Sequence, residues 1–204
     1  MFAIVEDGKI TKTGRSVQKM FPNTSFAGSP NADFLRENNV MDVVNAEKKN
    51  EQYYFVTQGD ITLVDGVPTQ AFTNTAKRLD DEDAKDSNGN QLYVQVWDAD
   101  VDNGEDRPKG GMVNTSEKLV NRGLKTTMTE QVKRTANSLL ANTDWMVIRK
   151  AERDVAIPSA TATYRAAVLT ECARLETAIG NAADVDALAA VMAAQNWPLA
   201  QGAF

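Results

Sequence analysis

The chain has 204 residues, a length that suits one large domain or two small ones and favours two. Its 42% hydrophobic and 25% charged residues are typical of a soluble globular protein, and its net charge of −6 argues against nucleic acid as a partner, because phosphate neutralisation needs clustered Lys and Arg. The absence of histidine and the single cysteine, Cys172, exclude Ser-His-Asp and Cys-His catalysis, His-bearing zinc sites and an internal disulfide.

The N-terminal residues lack the basic and long apolar regions of a signal peptide. No later stretch reaches the roughly 18 consecutive apolar residues of a membrane span. We therefore expect no membrane insertion, and we expect folding in the compartment where the chain is translated.

The first half of the chain predicts strands. Residues 2–6 and 9–13 flank Asp7-Gly8, a pair that supplies the positive φ angles of a type I′ hairpin turn. After a turn-rich segment, residues 31–38 predict one short capped helix. Short β-branched and aromatic runs, separated by Gly59-Asp60 and Asp65-Gly66, then predict a meander of antiparallel strands. Residues 92–97 predict a further strand between polar loops at 80–90 and 98–111.

After Gly110-Gly111 the apolar residues recur with the helical period of 3.6. We therefore predict an α+β protein with two modules, an antiparallel β-rich module over residues 1–112 and a helical hairpin or small bundle over residues 113–204. Asn114, Thr115 or Ser116 is expected to cap a first long helix, whose apolar stripe begins at Val120 and ends at Leu139 and Leu140.

Three further helices are predicted. The second is capped by Thr143-Asp144 and turns Trp145, Ile148 and Ala151 inward. The third begins at Pro158-Ser159, carries Cys172 on its apolar stripe, and ends at Gly180. The fourth begins at Asn181 or Asp184 and ends before Asn196-Trp197-Pro198.

One segment of this half resembles a known pattern. It contains Leu139-Leu140, Asp144-Trp145, Pro158 and Tyr164-Arg165, and Trp197-Pro198 follows later. The same order of a leucine pair, Asp-Trp, Pro and Tyr-Arg, often followed by Trp-Pro, occurs in tail proteins and tail-fibre assembly chaperones of tailed bacteriophages. The opening hairpin and residues 21–26 also look like the N-terminal part of some of these proteins.

The resemblance implies a non-enzymatic structural component of a phage tail, baseplate or fibre. Such a protein is made in the cytoplasm of the bacterial host, resides in the virion tail in multiple copies, and contacts other tail or fibre proteins. A transient fibre-assembly chaperone is the alternative. A glycan-binding or glycan-cleaving tail enzyme is a third hypothesis, since paired carboxylates for glycoside hydrolysis are available among 28 acidic residues.

The residues of the motif also have a structural interpretation. Asp144 is expected to accept helix N–H groups, Trp145 to be buried between helices, and Tyr164 to meet it from the third helix. Arg149 and Arg165 are expected to pair with Asp144, Glu152 or Asp154. We interpret the motif as a helical-corner staple, by which we mean a set of contacts that holds two consecutive helices together at the corner between them. A peptide-docking face is the alternative.

Other candidate sites carry weaker signals, and we predict no catalytic residue, cofactor or metal. Asp98 to Glu105 resembles the start of a calcium loop, but its glycine comes late and Lys109 stands where a glutamate is expected, which favours a solvated loop. The acidic residues 80–83 are interpreted as a mobile surface loop, and Cys172 as a buried inert thiol.

The aromatics of the β half are expected in the core, with a carbohydrate or protein platform as the alternative. They are Tyr53, Tyr54, Phe55, Phe72, Tyr93 and Trp97.

Overall fold

The computed structural model describes residues 1–105 and 107–199 and shows a mixed α+β protein, with strands early and long helices late in the chain. The predicted fold class is therefore confirmed. The chain divides into two compact units, Met1–Ala76 and Lys77–Phe204. None of the helices in the described ranges is both long and apolar enough to cross a membrane.

The first unit contains two small sheets and two short helices. Its elements are β1 Phe2–Glu6, β2 Lys9–Gly14, α1 Val17–Met20, α2 Ala32–Glu37, β3 Val40–Asp42, β4 Val44–Asn45, β5 Tyr54–Val64 and β6 Val67–Ala76. One sheet has the order β2-β1-β3 and the other the order β4-β6-β5. The predicted hairpin and the predicted short helix are both present.

Local chemistry explains these two elements. Asp7 and Gly8 have φ angles of 49° and 70°, which let β1 turn directly into β2. The Asn31 side chain accepts the Phe34 backbone N–H at 2.8 Å and so caps α2. Phe34 in turn packs edge-on against Phe21 and Phe26, with ring centroids 5.1 and 4.9 Å away. The helix is thereby packed against the aromatic cluster beside the small core of this sheet.

The second sheet differs from the prediction in two respects. Gly59-Asp60 does not separate strands but forms a bulge inside β5, where the buried Gln70 side chain donates to the Gly59 carbonyl at 2.6 Å. That side-chain hydrogen bond satisfies a backbone group that the bulge removes from the ladder. In addition, β4 pairs with β6 in parallel, so the predicted purely antiparallel meander is wrong at this strand.

The second unit places four short strands before four helices. Its elements are β7 Glu82–Asp83, β8 Tyr93–Asp98, β9 Gly111–Lys118, β10 Val120–Asn121, α3 Leu124–Ala141, α4 Asp144–Arg153, α5 Ser159–Asn181 and α6 Val185–Ala193. Antiparallel pairs form between β8 and β9 and between β7 and β10. Residues 112 and 113 both lie within β9, so the change of periodicity near them does not coincide with the division into compact units.

The first long helix begins later than predicted. Asn114, Thr115 and Ser116 lie in β9 and Val120 lies in β10, whereas α3 begins at Leu124. Pairing of β9 with β8 supplies hydrogen bonds to the backbone N–H and carbonyl groups of this segment. These groups therefore do not require helical hydrogen bonds.

The start of α3 is held by the preceding acidic segment. The Gly123 N–H donates to the Asp81 carboxylate at 2.7 Å, and the Leu124 N–H donates to the Arg78 carbonyl at 2.9 Å. The hydrogen bond from Gly123 lowers the pKa of Asp81. Asp80 and Asp83 pair with Lys125 and Lys118. Residues 80–83 therefore anchor a strand and a helix, and the prediction of a mobile loop is wrong.

The helical core follows the predicted stripes closely. The α3 residues facing it recur every four positions: Leu124, Met128, Val132, Ala136 and Leu140. They pack beside Val168, Leu175 and Ile179 of α5 and Leu188 of α6, all fully buried. Gly180 lies inside α5 rather than ending it, and α6 is capped by Asp184, whose carboxylate accepts the Ala187 N–H at 2.7 Å.

A buried carboxylate joins the end of α6 to α5. Glu171 accepts two hydrogen bonds from Arg174, both 2.7 Å long, and a third of 2.7 Å from the Asn196 backbone N–H. The Arg174 guanidinium also donates to the Ala194 carbonyl at 3.0 Å. The hydrogen bonds from Arg174, and secondarily that from Asn196, hold the pKa of Glu171 below its ordinary value, although burial opposes the shift.

Because the folded-state pKa of Glu171 is lowered, its contribution to stability is complete well above the ordinary glutamate pKa of about 4.3 and is lost as the pH falls through the lowered value. We expect Glu171→Gln to reduce the free energy of unfolding by about 1–3 kcal/mol at neutral pH. The difference from wild type should vanish on acidification. Urea unfolding followed by circular dichroism at a series of pH values measures it.

Glu152→Gln is the matched control, since Glu152 is an exposed carboxylate on α4. It should change the free energy of unfolding little at any of these pH values. A Glu171→Gln difference that stays constant with pH would show that side-chain shape, rather than the charge of the carboxylate, stabilises this junction.

Candidate functional site

The predicted motif separates into three places in the second unit. Asp144, Tyr164 and Arg165 lie with Thr143 at the corner between α3 and α4. Trp145 and Arg149 lie together on α4, with the guanidinium carbon 4.7 Å from the ring centroid. Pro158 is the N-cap of α5, and Trp197 follows α6.

The corner is organised by one guanidinium. Arg165 donates to the Leu140 carbonyl at 3.1 Å and to the Thr143 hydroxyl at 2.6 Å, and it pairs with the Asp144 carboxylate at 2.9 Å. Leu140 belongs to the last turn of α3, whose carbonyls have no partner within the helix and carry partial negative charge. A cation at this point therefore stabilises the end of α3 and the start of α4 together. The predicted pairing of Arg165 with Asp144 is confirmed, whereas Arg149 contacts the Trp145 ring instead of the predicted carboxylates.

Thr143 is a site residue for which the sequence indicated a different role. It occupies the predicted N-cap position of α4, but its fully buried hydroxyl does not cap that helix and instead donates to the Leu140 carbonyl at 2.9 Å and accepts from Arg165. The Tyr164 hydroxyl lies 3.4 Å from the neighbouring Leu139 carbonyl. The available signal was a hydroxyl residue three positions after a predicted helix end, where such side chains bond backward to free carbonyls.

Trp145 does not have the predicted environment. Its side chain is 50% exposed, Ile148 is 56% exposed, and Val147 and Ala151 are also exposed. Within α4, all of which the structure describes, Met146 is the buried residue. The prediction that Trp145, Ile148 and Ala151 face inward is therefore wrong, because Met146 is the residue of α4 that inserts into the core.

Arg149 orients the exposed indole. Its guanidinium lies over the Trp145 ring, a cation–π contact between residues four positions apart on one helix. Its Nε is shielded from solvent and has no hydrogen-bond partner in the part of the chain that the structure describes. We name the exposed residues Trp145 and Ile148, with Arg149 beside them, the α4 patch.

Pro158 and Trp197 lie apart from the staple contacts. Trp197 is half-buried and donates through Nε1 to Gln195 at 2.9 Å. The adjoining Pro198 and Leu199 border a groove of about 360 Å³ along the start of α5. The groove is lined by Ser159, Ala160, Thr163, Tyr164, Ala167, Pro198 and Leu199.

The remaining candidate groups have mainly structural contacts. Asp98 accepts the Asp100 N–H and Asp102 accepts the Gly104 N–H, both at 2.9 Å, as in ordinary polar turns. In residues 1–105 and 107–199, no three Asp, Glu or Cys side chains are grouped so as to hold a metal ion.

Cys172 is buried as expected. Burial first, and the neighbouring Glu176 second, raise the pKa of its thiol.

The aromatics of the β half fall into two groups. Tyr53 and Tyr54 are buried and Phe72 is half-buried, as the core prediction expects. Phe55, Tyr93 and Trp97 are exposed, and Trp97 is 65% exposed. The expectation that these residues lie in the core is wrong for the second group.

No protein-family model, curated protein or solved structure matches this chain.

We expect Arg165→Ala to lower the free energy of unfolding by about 2–3 kcal/mol, because it leaves the buried Thr143 hydroxyl and the Leu140 carbonyl without their charged donor. Arg165→Lys should lose less, since it keeps the charge but not the forked geometry. Arg153→Ala, an exposed arginine on α4, is the control and should change stability by about 0.5 kcal/mol or less. If Arg165→Ala and Arg153→Ala lowered the free energy of unfolding equally in urea, the proposed stabilising role of Arg165 at this corner would be contradicted.

Trp145→Ala should cost about 1 kcal/mol or less, because half of the side chain is already in solvent. A buried tryptophan would cost about 3–5 kcal/mol instead. Met146→Ala is the comparison and should cost about 2–4 kcal/mol as the buried anchor of the same helix. A larger loss for Trp145 than for Met146 in thermal or urea unfolding would show that the indole is buried in solution.

Proposed function

We propose that this chain is a non-enzymatic structural component of a bacteriophage tail, as a tail, baseplate or fibre-associated adaptor that acts through protein–protein contacts in virion assembly. It is made in the host cytoplasm and resides in the virion tail in multiple copies, next to other tail or fibre proteins. The resemblance of residues 139–165 to phage tail proteins supports the context. The α4 patch supports the mode of action.

The observation that carries the proposal is the exposure of Trp145 and Ile148 on a helix anchored through Met146. Single exposed apolar residues are common on protein surfaces, whereas Trp145 and Ile148 lie three positions apart on one helix face and so form a contiguous apolar surface of the kind that binds partners. Tryptophan and arginine are the side chains most enriched among the residues that dominate binding energy. Trp145 with Arg149 stacked on it has that composition.

The corner beneath the patch supports the same role. Arg165 fixes the start of α4 relative to the end of α3 through Asp144 and Leu140. Arg149 restricts the Trp145 ring. A surface held in its binding conformation before contact loses less conformational entropy on association. The motif is thus both a structural staple and the support of a docking face.

The test compares wild type with Trp145→Ala in virions and in pull-down. We expect the protein to be present in purified particles by quantitative mass spectrometry, and to capture a tail or fibre protein from lysate. Trp145→Ala should reduce capture about tenfold or more, since tryptophan truncation at a binding hot spot commonly costs at least 2 kcal/mol. Cross-linking mass spectrometry of intact particles would identify the neighbour.

Trp97→Ala is the matched control, because Trp97 is also an exposed tryptophan and lies on β8 rather than on α4. It should leave capture and incorporation unchanged. Capture of a fibre protein combined with absence from particles would identify the alternative, a transient fibre-assembly chaperone. Absence from particles together with no capture would overturn both roles.

A further inference from the structure

We propose that the exposed face of the β8–β9 ribbon binds a neutral oligosaccharide. The face consists of Tyr93, Gln95 and Trp97 from β8 and Met112 and Asn114 from β9, and we name it the ribbon face. This site is separate from the α4 patch, and it does not depend on the proposed protein contacts.

The register of the ribbon places these side chains together. Alternate residues of a strand point to the same side, so Gln95 and Trp97 share one face of β8, and Tyr93 precedes Gln95 by two residues, beyond a shift in register that places it opposite Lys118. Across the ladder, Trp97 stands opposite Met112 and Gln95 opposite Asn114. Four residues of extended strand separate the two aromatic positions by about 13 Å, a length suited to a short, extended sugar chain.

Trp97 is supported from beneath while remaining open to solvent. Its six-membered ring lies against Gly110, where an added Cβ would come within 2.4 Å of Cζ2 and 3.0 Å of Cε2. The left-handed φ of 106° at Gly110 is a conformation that favours glycine. The Asn103 amide donates to the Gly110 carbonyl at 2.8 Å and so holds the loop behind the ring. Trp97 is nevertheless 65% exposed, as a stacking platform requires.

Beside Tyr93 the ribbon borders a shallow groove of about 460 Å³ whose lining is entirely uncharged. It is lined by Gln91, Leu92, Tyr93, Val94, Gln95, Asn114 and Leu119. The Gln95 amide donates to Asn114 Oδ1 at 3.0 Å, which orients both amides and leaves a second hydrogen-bonding group on each unused by this bond. The nearby Lys118 ammonium is paired with Asp83 at 2.6 Å.

The exposed aromatic rings, the oriented amides and the uncharged groove together favour a neutral polyol as the ligand. Sugar rings present apolar C–H faces that stack on aromatic rings, and hydroxyls that both donate and accept hydrogen bonds. Oriented carboxamides match such hydroxyls because each amide also donates and accepts. Phosphates and charged peptides need charged partners, which the groove does not offer.

The experiment uses the purified full chain with cellohexaose and N-acetylchitohexaose as probes. Binding is measured by tryptophan fluorescence titration and by saturation-transfer difference NMR. We expect at least one sugar to bind with a Kd in the millimolar range or below, and Trp97→Ala to weaken binding about tenfold or more through loss of the stacking platform. Trp97→Phe should retain part of the affinity, and Asn114→Ala should weaken binding without removing an aromatic ring.

Trp145→Ala is the control and should bind sugar as wild type does, since Trp145 lies on α4. Circular dichroism verifies that each variant is folded, and Asn114→Ala tests the site even if Trp97→Ala does not fold. No binding of either sugar at millimolar concentration, or wild-type affinity in Asn114→Ala and a folded Trp97 variant, would overturn the site. Concentration-dependent dimerisation that requires Trp97, without sugar binding, would assign the face to a second copy and also overturn it.

These results are separable from those for tail assembly. The sugar titration uses the isolated chain, so its failure leaves protein capture through Trp145 unaffected. The reciprocal pattern, in which Trp97→Ala loses sugar and Trp145→Ala loses the protein partner, would establish two independent surfaces.

Discussion

The carbonyl end of α3 is held by the Arg165 guanidinium, and the course of the chain into α4 depends on this contact. A helix end leaves four carbonyl groups without intrahelical partners, and these must find donors or water. Arg165 donates to Leu140 and Thr143 and pairs with Asp144, so it satisfies the end of one helix and fixes the start of the next. The positive charge also opposes the partial negative charge of the helix terminus.

The exposure of Trp145 follows from that geometry. Arg165 pairs with Asp144 and Met146 inserts into the core, whereas Trp145 and Ile148 take part in neither contact and remain exposed. Arg149 then stacks on the exposed indole and restricts it. A corner that stabilises the bundle therefore also presents an apolar surface of fixed orientation, which is the physical basis of the proposed tail adaptor.

In the strand-rich part of the second unit, loop residues also make structural contacts that position exposed side chains. Acidic residues that a sequence pattern assigns to solvent instead receive backbone N–H groups and lysines, as Asp81 does from Gly123 and Asp83 from Lys118. In the longer loop, Asn103 and Gly110 hold the chain behind the Trp97 ring. The loops thus support an exposed aromatic and amide face, which is the basis of the proposed sugar site.

The local features of this protein follow from short stretches of its sequence. Asp7-Gly8 specified a hairpin turn, Asn31 a helix cap, and the four-residue spacing from Leu124 to Leu140 the apolar face of α3, because each depends on residues close in the sequence. Three other features follow from contacts between distant residues: residues 111–118 pair as a strand, Arg165 reaches Leu140, and Trp145 and Trp97 remain exposed. These outcomes depend on partners distant in the sequence, and the burial of a side chain is set by what packs on it rather than by its own apolar character.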